Sequence, residues 1–353
     1  KKEEFYELKK LIGTFINLFK SNNYDYIKFD EILKRLKYGN DYIFIKIVRE
    51  IYLEYMSELK SKNEVDFNDM INDAIKVLNK GGKIKSYKYI IIDEYQDTSL
   101  TKYNLIKTIK NKTQAKLFCV GDDFQSIYRF TGCNLNIFLN FKKYYKNSRI
   151  MKIENTYRNC KDLIKVSGNF IMKNNHQMRK KLKSSKKLKK PIKIIYYKSI
   201  KDSFEKLILD IYSENNNGIM VLGRNNNDIY KYLNSNFRLE NQNIIYLKNE
   251  NIKIRYLTVH KSKGLEEENV IIINLENKIN GFPSKIENNE ILKYVLNEND
   301  NYPYEEERRL FYVALTRTKN NVYLFINKKN ESIFVKEIVN NYKSCIQIFK
   351  NYL

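Results

Sequence analysis

Two short strings hold most of the side chains that could do chemistry. The first, Tyr89-Ile90-Ile91-Ile92-Asp93-Glu94-Tyr95-Gln96-Asp97-Thr98, runs an apolar stretch directly into two adjacent carboxylates. A buried strand with that ending delivers both acids to its carboxyl end, where nucleotide sites form in open α/β sheets. Neighbouring acids can divide the labour of phosphoryl chemistry. One holds Mg²⁺, usually through water, and the other polarises an attacking water. A plain surface turn after a strand gives the same string, so it does not decide alone. The second string is Val120-Gly121-Asp122-Asp123-Phe124-Gln125-Ser126-Ile127-Tyr128-Arg129-Phe130. It again ends a strand in a polar turn, with a Gln able to donate and accept at a phosphate or water. Tyr128 and Phe130 flank Arg129, a pattern suited to stacking on unpaired bases. Two aromatics of a core helix would read the same.

Such groups need a sheet to hold them, and the apolar pattern supplies one. Residues 1 to about 85 read as helical: Phe5, Leu8, Ile12, Phe15, Ile16 and Phe19 recur at three- and four-residue steps, and the rhythm returns from Ile43 to Leu59. Asp66-Phe67-Asn68-Asp69-Met70-Ile71 has the form of a capped helix start. After Gly81-Gly82 short apolar runs take over: 89–92, 117–120, 192–197, 219–222, 254–257, 270–273 and 322–326. Helix-like segments alternate with most of them, which predicts an α/β fold with parallel sheets. Two α/β units are expected, with a junction near residue 150.

The 353 residues carry 65 Lys plus Arg against 41 Asp plus Glu, a formal net charge of +24. With 42% hydrophobic and 14% aromatic residues the chain can build a core, which excludes wholesale disorder. The charge points to a polyanionic partner, nucleic acid first and an anionic membrane surface second. A chain rich in Lys, Asn, Ile and Tyr throughout can owe part of that charge to an A/T-rich genome. A local feature is therefore more telling. From Leu163 to Ile200 there is no acidic residue, while Arg179-Lys180-Lys181, Lys183, Lys186-Lys187 and Lys189-Lys190 crowd together. A phosphate-backbone contact and a solvated loop both account for it. Four dispersed cysteines give no zinc or disulfide pattern, no apolar run approaches a membrane span, and the charged start is not a signal peptide. A reducing cytoplasm is the expected setting, with no membrane partner.

Taken together, the two strings resemble motifs II and III of the superfamily 1 UvrD/Rep/PcrA-type DNA helicases. Three more follow in that family's order: Asn155-Thr156-Tyr157-Arg158-Asn159 resembles motif IV, Leu257-Thr258-Val259-His260-Lys261-Ser262-Lys263-Gly264-Leu265-Glu266 motif V, and Glu306-Glu307-Arg308-Arg309-Leu310-Phe311-Tyr312-Val313-Ala314-Leu315-Thr316-Arg317-Thr318 motif VI. Within the family the likeness is to the bacterial helicase IV branch, through Asp66-Phe67, Tyr128-Arg129-Phe130-Thr131-Gly132, Gly281-Phe282-Pro283 and the stretch from Phe170 to Ser185.

The resemblance implies two RecA-like P-loop NTPase units, the first incomplete, with a helical insertion. Residues 1–65 would be that insertion, 66–150 the C-terminal half of the first RecA-like domain, and 151–353 the second. ATP and Mg²⁺ are the implied cofactors, and single-stranded and duplex DNA the implied partners. Asp93 would position Mg²⁺ through water, and Glu94 would act as general base. Gln125 would sense the γ-phosphate, and Arg158 and Arg317 would serve as arginine fingers. Tyr157 would stack on adenine and Glu266 would bond the ribose, with Gln96 and Gly264 also at the nucleotide. Tyr128, Arg129, Phe130, Thr258 and His260 would touch DNA, and Arg308 and Arg309 would be structural. The implied activity is ATP-dependent 3′-to-5′ translocation and unwinding in repair or recombination. Glu267, Thr156 and Phe124 depart from the commonest family forms. No G-x-x-x-x-G-K-[ST] string occurs, since Gly81-Gly82-Lys83 has the wrong spacing and is followed by Ile84. The expectation is a chain that begins inside the first motor domain. The rivals are a binding or regulatory module without its phosphate loop, and a helicase–nuclease subunit.

Overall fold

The apolar rhythm at the start of the chain folds into four helices, α1 (Lys2–Ser21), α2 (Tyr26–Leu36), α3 (Asn40–Ser61) and α4 (Phe67–Asn79). The computed structural model describes residues 2–215, 218–286, 289–296 and 302–352. Lys1 and Leu353, the outer limits of the expected domains, lie outside the described residues. Asp66 caps α4 as its sequence position predicts, its Oδ1 accepting the Asp69 N–H at 2.8 Å. The same carboxylate receives Lys20 Nζ at 2.5 Å, and Lys20, only 2% exposed, also reaches Asp69 Oδ2 at 2.7 Å. The helices enclose an aromatic core in which the Phe19 and Phe29 rings stack 4.2 Å apart, with Phe15, Ile45, Val48 and Tyr52 around them.

The strand-like runs form next. Strand β1 (Tyr89–Ile92) leads through helix α5 (Leu100–Thr113), capped by Ser99, to the parallel strand β2 (Lys116–Cys119), with Ile91 opposite Phe118. Ile92 and Cys119 face a small cluster of Tyr95, Tyr103 and Ile137. The opposite face leaves Tyr89, Ile91 and Phe118 exposed. Short helices α6 (Leu135–Leu139) and α7 (Phe141–Tyr144) close this part.

Residues 1–149 and 287–299 form one compact unit, and residues 150–286 and 300–353 form the other. An unbroken second domain from 151 to 353 is the sequence expectation. The structure differs because Ile291, Leu292 and Val295 bury among the first unit's aromatic residues. The Asn22 side-chain amide donates to the Val295 carbonyl at 2.6 Å, and Asp41 accepts from the Tyr294 hydroxyl at 2.8 Å.

In the second unit the order is α8 (Lys161–Ile171), β3 (Ile192–Tyr197), α9 (Ile200–Asn215), β4 (Ile219–Gly223), β5 (Phe237–Glu240), β6 (Asn243–Tyr246), β7 (Ile254–Thr258), β8 (Glu267–Ile272), α10 (Glu305–Leu315), β9 (Thr318–Ile326), α11 (Ile333–Asn341) and β10 (Ile346–Tyr352). The eight strands lie side by side as β10-β3-β9-β8-β4-β7-β6-β5. Neighbours run parallel except β5 with β6 and β6 with β7, so the sheet is mixed at one edge. The central strand β4 is buried at every position, as continuous apolar runs in parallel sheets are. All seven apolar runs noted in the sequence are strands, and the fold is α/β. Among the described residues, no helix is long and apolar enough to cross a membrane.

Candidate nucleotide and nucleic-acid site

The two acids sit where the strand ends. Asp93 and Glu94 are both exposed just beyond β1. Asp93 Oδ1 accepts the Glu94 N–H at 2.8 Å, and Glu94 turns into the left-handed region at φ 50°, ψ 39°. That conformation is uncommon for a residue with a side chain and needs surrounding contacts to hold it. Two backbone bonds supply them. The Val120 N–H donates to the Ile92 carbonyl, and the Tyr95 N–H donates to the Val120 carbonyl, each at 2.8 Å. The ends of β1 and β2 are thereby locked together around the turn.

A side-chain relay runs across those two strand ends. Gln96, fully buried, donates through Nε2 to Glu94 Oε2 at 2.6 Å. Its Oε1 accepts the Asp122 N–H at 2.9 Å. Asp122 Oδ2 in turn accepts from Gln125 Nε2 at 2.8 Å, and Oδ1 accepts the Phe124 N–H at 3.2 Å. Glu94, Gln96, Asp122 and Gln125 therefore form one connected line. Gly121 makes room for it, since a Cβ there would lie 2.5 Å from Gln96 Oε1 and 2.7 Å from the Phe138 ring. Asp122 has no assigned role in the sequence reading. Its place beside Gln96 depends on strand pairing, which spacing alone does not reveal.

The second unit gathers the motif IV, V and VI residues by itself. Arg158 Nε meets Glu266 Oε2 at 2.5 Å, and Lys319 Nζ lies 3.6 Å from Glu266 Oε1. The bond from Arg158, with the charges of Arg158 and Lys319, holds the Glu266 carboxyl below its usual range. Arg317 is only 1% exposed. Its Nε donates to the Val313 carbonyl at 3.0 Å, Nη1 to the Leu265 carbonyl at 3.3 Å and Nη2 to Thr316 Oγ1 at 3.3 Å. Asn159 pins the motif IV segment to the same place by donating to the Thr316 and Thr318 carbonyls. Gly264 adopts φ +81° just before this carbonyl-bearing turn. Tyr157, next to Arg158, is 85% exposed and presents its ring to solvent. Arg308 and Arg309 are packed structurally. Arg308 pairs with Glu337 at 2.7 Å and lies over the Phe170 and Phe334 rings, while Arg309 pairs with Glu305 at 2.7 Å.

The residues assigned to DNA are divided between the two units. In the first, the rings of Tyr128 and Phe130 meet edge-on at 6.1 Å, with Phe130 exposed and Arg129 half-buried between them in sequence. Burial raises the Tyr128 hydroxyl above its ordinary value. In the second, Thr258 ends β7 nearly buried, and its Oγ1 lies 3.4 Å from the Lys261 N–H. His260 follows two residues later, where burial, helped by the Arg224 charge, lowers the imidazole to about 4. Among the described residues, no group of three or more His, Cys, Asp or Glu side chains could hold a metal ion alone. A single strand-end carboxylate is nevertheless compatible with Mg²⁺, which keeps several waters and takes other ligands from phosphate.

The UvrD/REP helicase N-terminal domain matches residues 2–146, and the UvrD-like helicase C-terminal domain matches residues 231–329. The chain is 32% identical to DNA helicase IV of Escherichia coli over 84% of its own length and 42% of that protein. It is 36% identical to the ATP-dependent DNA helicase Rep of Buchnera aphidicola over 46% of the chain and 26% of the relative. With the ATP-dependent DNA helicase PcrA of Bacillus subtilis it shares 32% identity over 43% of the chain and 21% of the relative. The chain thus spans less than half the length of the curated relatives it matches.

Proposed function

The chain belongs to the UvrD/Rep family of helicases, and on that premise we propose that it supplies the hydrolytic and phosphate-sensing residues of an ATP-dependent DNA helicase. The observation that carries this reading is the relay from Glu94 through the buried Gln96 and then Asp122 to Gln125 at the ends of two parallel strands. A module that only bound nucleic acid would not require a glutamine that joins the Glu94 carboxylate to the Asp122 backbone, whose side chain holds Gln125.

Bound Mg²⁺–ATP supplies the electrophilic phosphorus and a cation that offsets its charge. Asp93 would hold the metal through water. Glu94, its carboxylate oriented by Gln96, would take the proton from the attacking water. Gln125, tied to Asp122, would donate to the γ-phosphate and pass its presence back along the relay. Arg158 and Arg317 would offset charge on the transferred phosphoryl group, with Arg158 held by Glu266 until it engages. Tyr157, with its open ring, would stack on the base, and Glu266 and Gly264 would lie at the nucleotide. Tyr128, Arg129, Phe130, Thr258 and His260 would contact single-stranded DNA. Movement would run 3′ to 5′, and unwinding would serve repair or recombination. The second and first units would correspond to the two RecA-like motor domains, with α1–α3 as the insertion of the first.

The test is Glu94→Gln in the full-length protein. ATP binding should persist while steady-state phosphate release stimulated by single-stranded DNA is abolished. Near-normal hydrolysis in that variant overturns the assignment of the base.

A further inference from the structure

The basic block between α8 and β3 is ordered in a way its composition does not foretell. Along residues 179–190 exposure alternates: Arg179, Lys181, Lys183, Lys187 and Lys189 are exposed, and the residues immediately flanking each are half-buried. Backbone bonds hold the segment in place. The Lys183 N–H donates to the Glu154 carbonyl at 2.7 Å, the Thr156 N–H to the Lys183 carbonyl at 2.9 Å, and the Lys161 N–H to the Lys186 carbonyl at 2.9 Å. The Lys181 N–H donates to Glu154 Oε1 at 2.8 Å, so the nearby carboxylate serves the backbone. Two half-buried or neighbouring lysines act as struts: Lys152 Nζ donates to the Arg179 carbonyl, and Lys186 Nζ donates to the Lys319 carbonyl and Asn320 Oδ1. Among the described residues, none of the five exposed cations has an ion-pair partner.

We propose that this segment is a phosphodiester-binding strip, a nucleic-acid contact on the second unit separate from Thr258 and His260. The alternating exposure sets the five cations along the outer side of the segment, and where the backbone is extended alternate side chains stand about 6.6 Å apart. Cations at that spacing suit the successive phosphates of an unpaired strand, and a surface salted with acids would not. The strip is bonded to the Asn155–Asn159 segment that carries Tyr157 and Arg158. Occupancy of the strip would therefore steady the segment that presents the finger arginine.

The inference rests on the DNA-binding part of the function proposed above, and the experiment separates the two. Arg179, Lys181, Lys183, Lys187 and Lys189 are changed together to Gln in the full-length protein. A matched control changes the exposed Lys201, Lys206, Lys253, Lys336 and Lys343 to Gln. Binding of fluorescent oligo(dT) and of a short duplex is followed between about 50 and 200 mM salt. Each lost phosphate contact reduces the slope of log affinity against log salt by about 0.7 on a single strand, so the strip variant should lose roughly 2 to 3.5 and the control less than about 1. Replacing the four lysines by Arg should restore the wild-type slope, which excludes a folding defect. Equal slopes in strip variant and control overturn the proposal while leaving the helicase reading intact. Loss of binding to phosphatidylserine vesicles with oligonucleotide binding unchanged also overturns it. Failure of the wild-type protein to bind either oligonucleotide refutes both.

Discussion

Gln96 uses both ends of its amide, donating to Glu94 and accepting from Asp122, and this makes it more than a lining residue. Gln96→Ala should lower ATP turnover about 10- to 100-fold through misplacement of Glu94, with ATP affinity little changed. Steady-state kinetics in the full-length protein check the split between kcat and KM. Gly121→Ala should act in the same direction, because its Cβ would press on Gln96 Oε1. His260 offers a second test. Its value in the folded protein, about 4, lies below the ordinary 6.5, so it is neutral at pH 7. As pH falls from about 6.5 the unfolded chain takes up the proton first, and stability is lost across the window down to about 4. An NMR titration should find the imidazole neutral until that lower value, and half-protonation near 6.5 would contradict it. Asp93, Glu94 and Gln125 are legible in the sequence because each follows an apolar run at the end of a strand. The Gln96–Asp122 bond is not, because it joins residues 26 apart that only strand pairing brings together.

Among the elements, α4 shows how a local signal and a distant partner combine. Asp66 announces the helix start by its type and position. Lys20, from α1, cannot be singled out among 65 cationic residues, yet it is the one that neutralises Asp66 and Asp69 together. Breaking such a buried pair on one side leaves uncompensated charge. Lys20→Met should therefore destabilise the first unit by about 3 kcal/mol, measured as a lower urea midpoint. The strands show the same division. The five runs of the large sheet are visible because buried parallel strands are continuously apolar, while β1 and β2 are as apolar with one face exposed. Strands β5, β6 and β10 escape notice, since Phe237–Glu240 and Asn243–Tyr246 are short and partly polar and Ile346–Tyr352 alternates at an edge.

For the whole molecule, the stretch between β8 and α10 matters most. It leaves the second unit's chain, sets Ile291, Leu292 and Val295 among the aromatic residues of α1–α3, and returns to α10. Leu292→Asp should raise hydrogen exchange in α1–α3 while leaving the central strands of the large sheet protected, because the new carboxylate would be buried without a partner. Unchanged exchange in α1–α3 would show that the stretch contributes little there. The excursion also changes what a protease can accomplish. A polypeptide that crosses between two bodies once is divided by a single cut, whereas this one crosses at 149–150, 286–287 and 299–300. A nick near residue 150 should therefore yield two fragments that still migrate together in a native gel, because the later fragment keeps Ile291, Leu292 and Val295 seated among the residues of α1–α3.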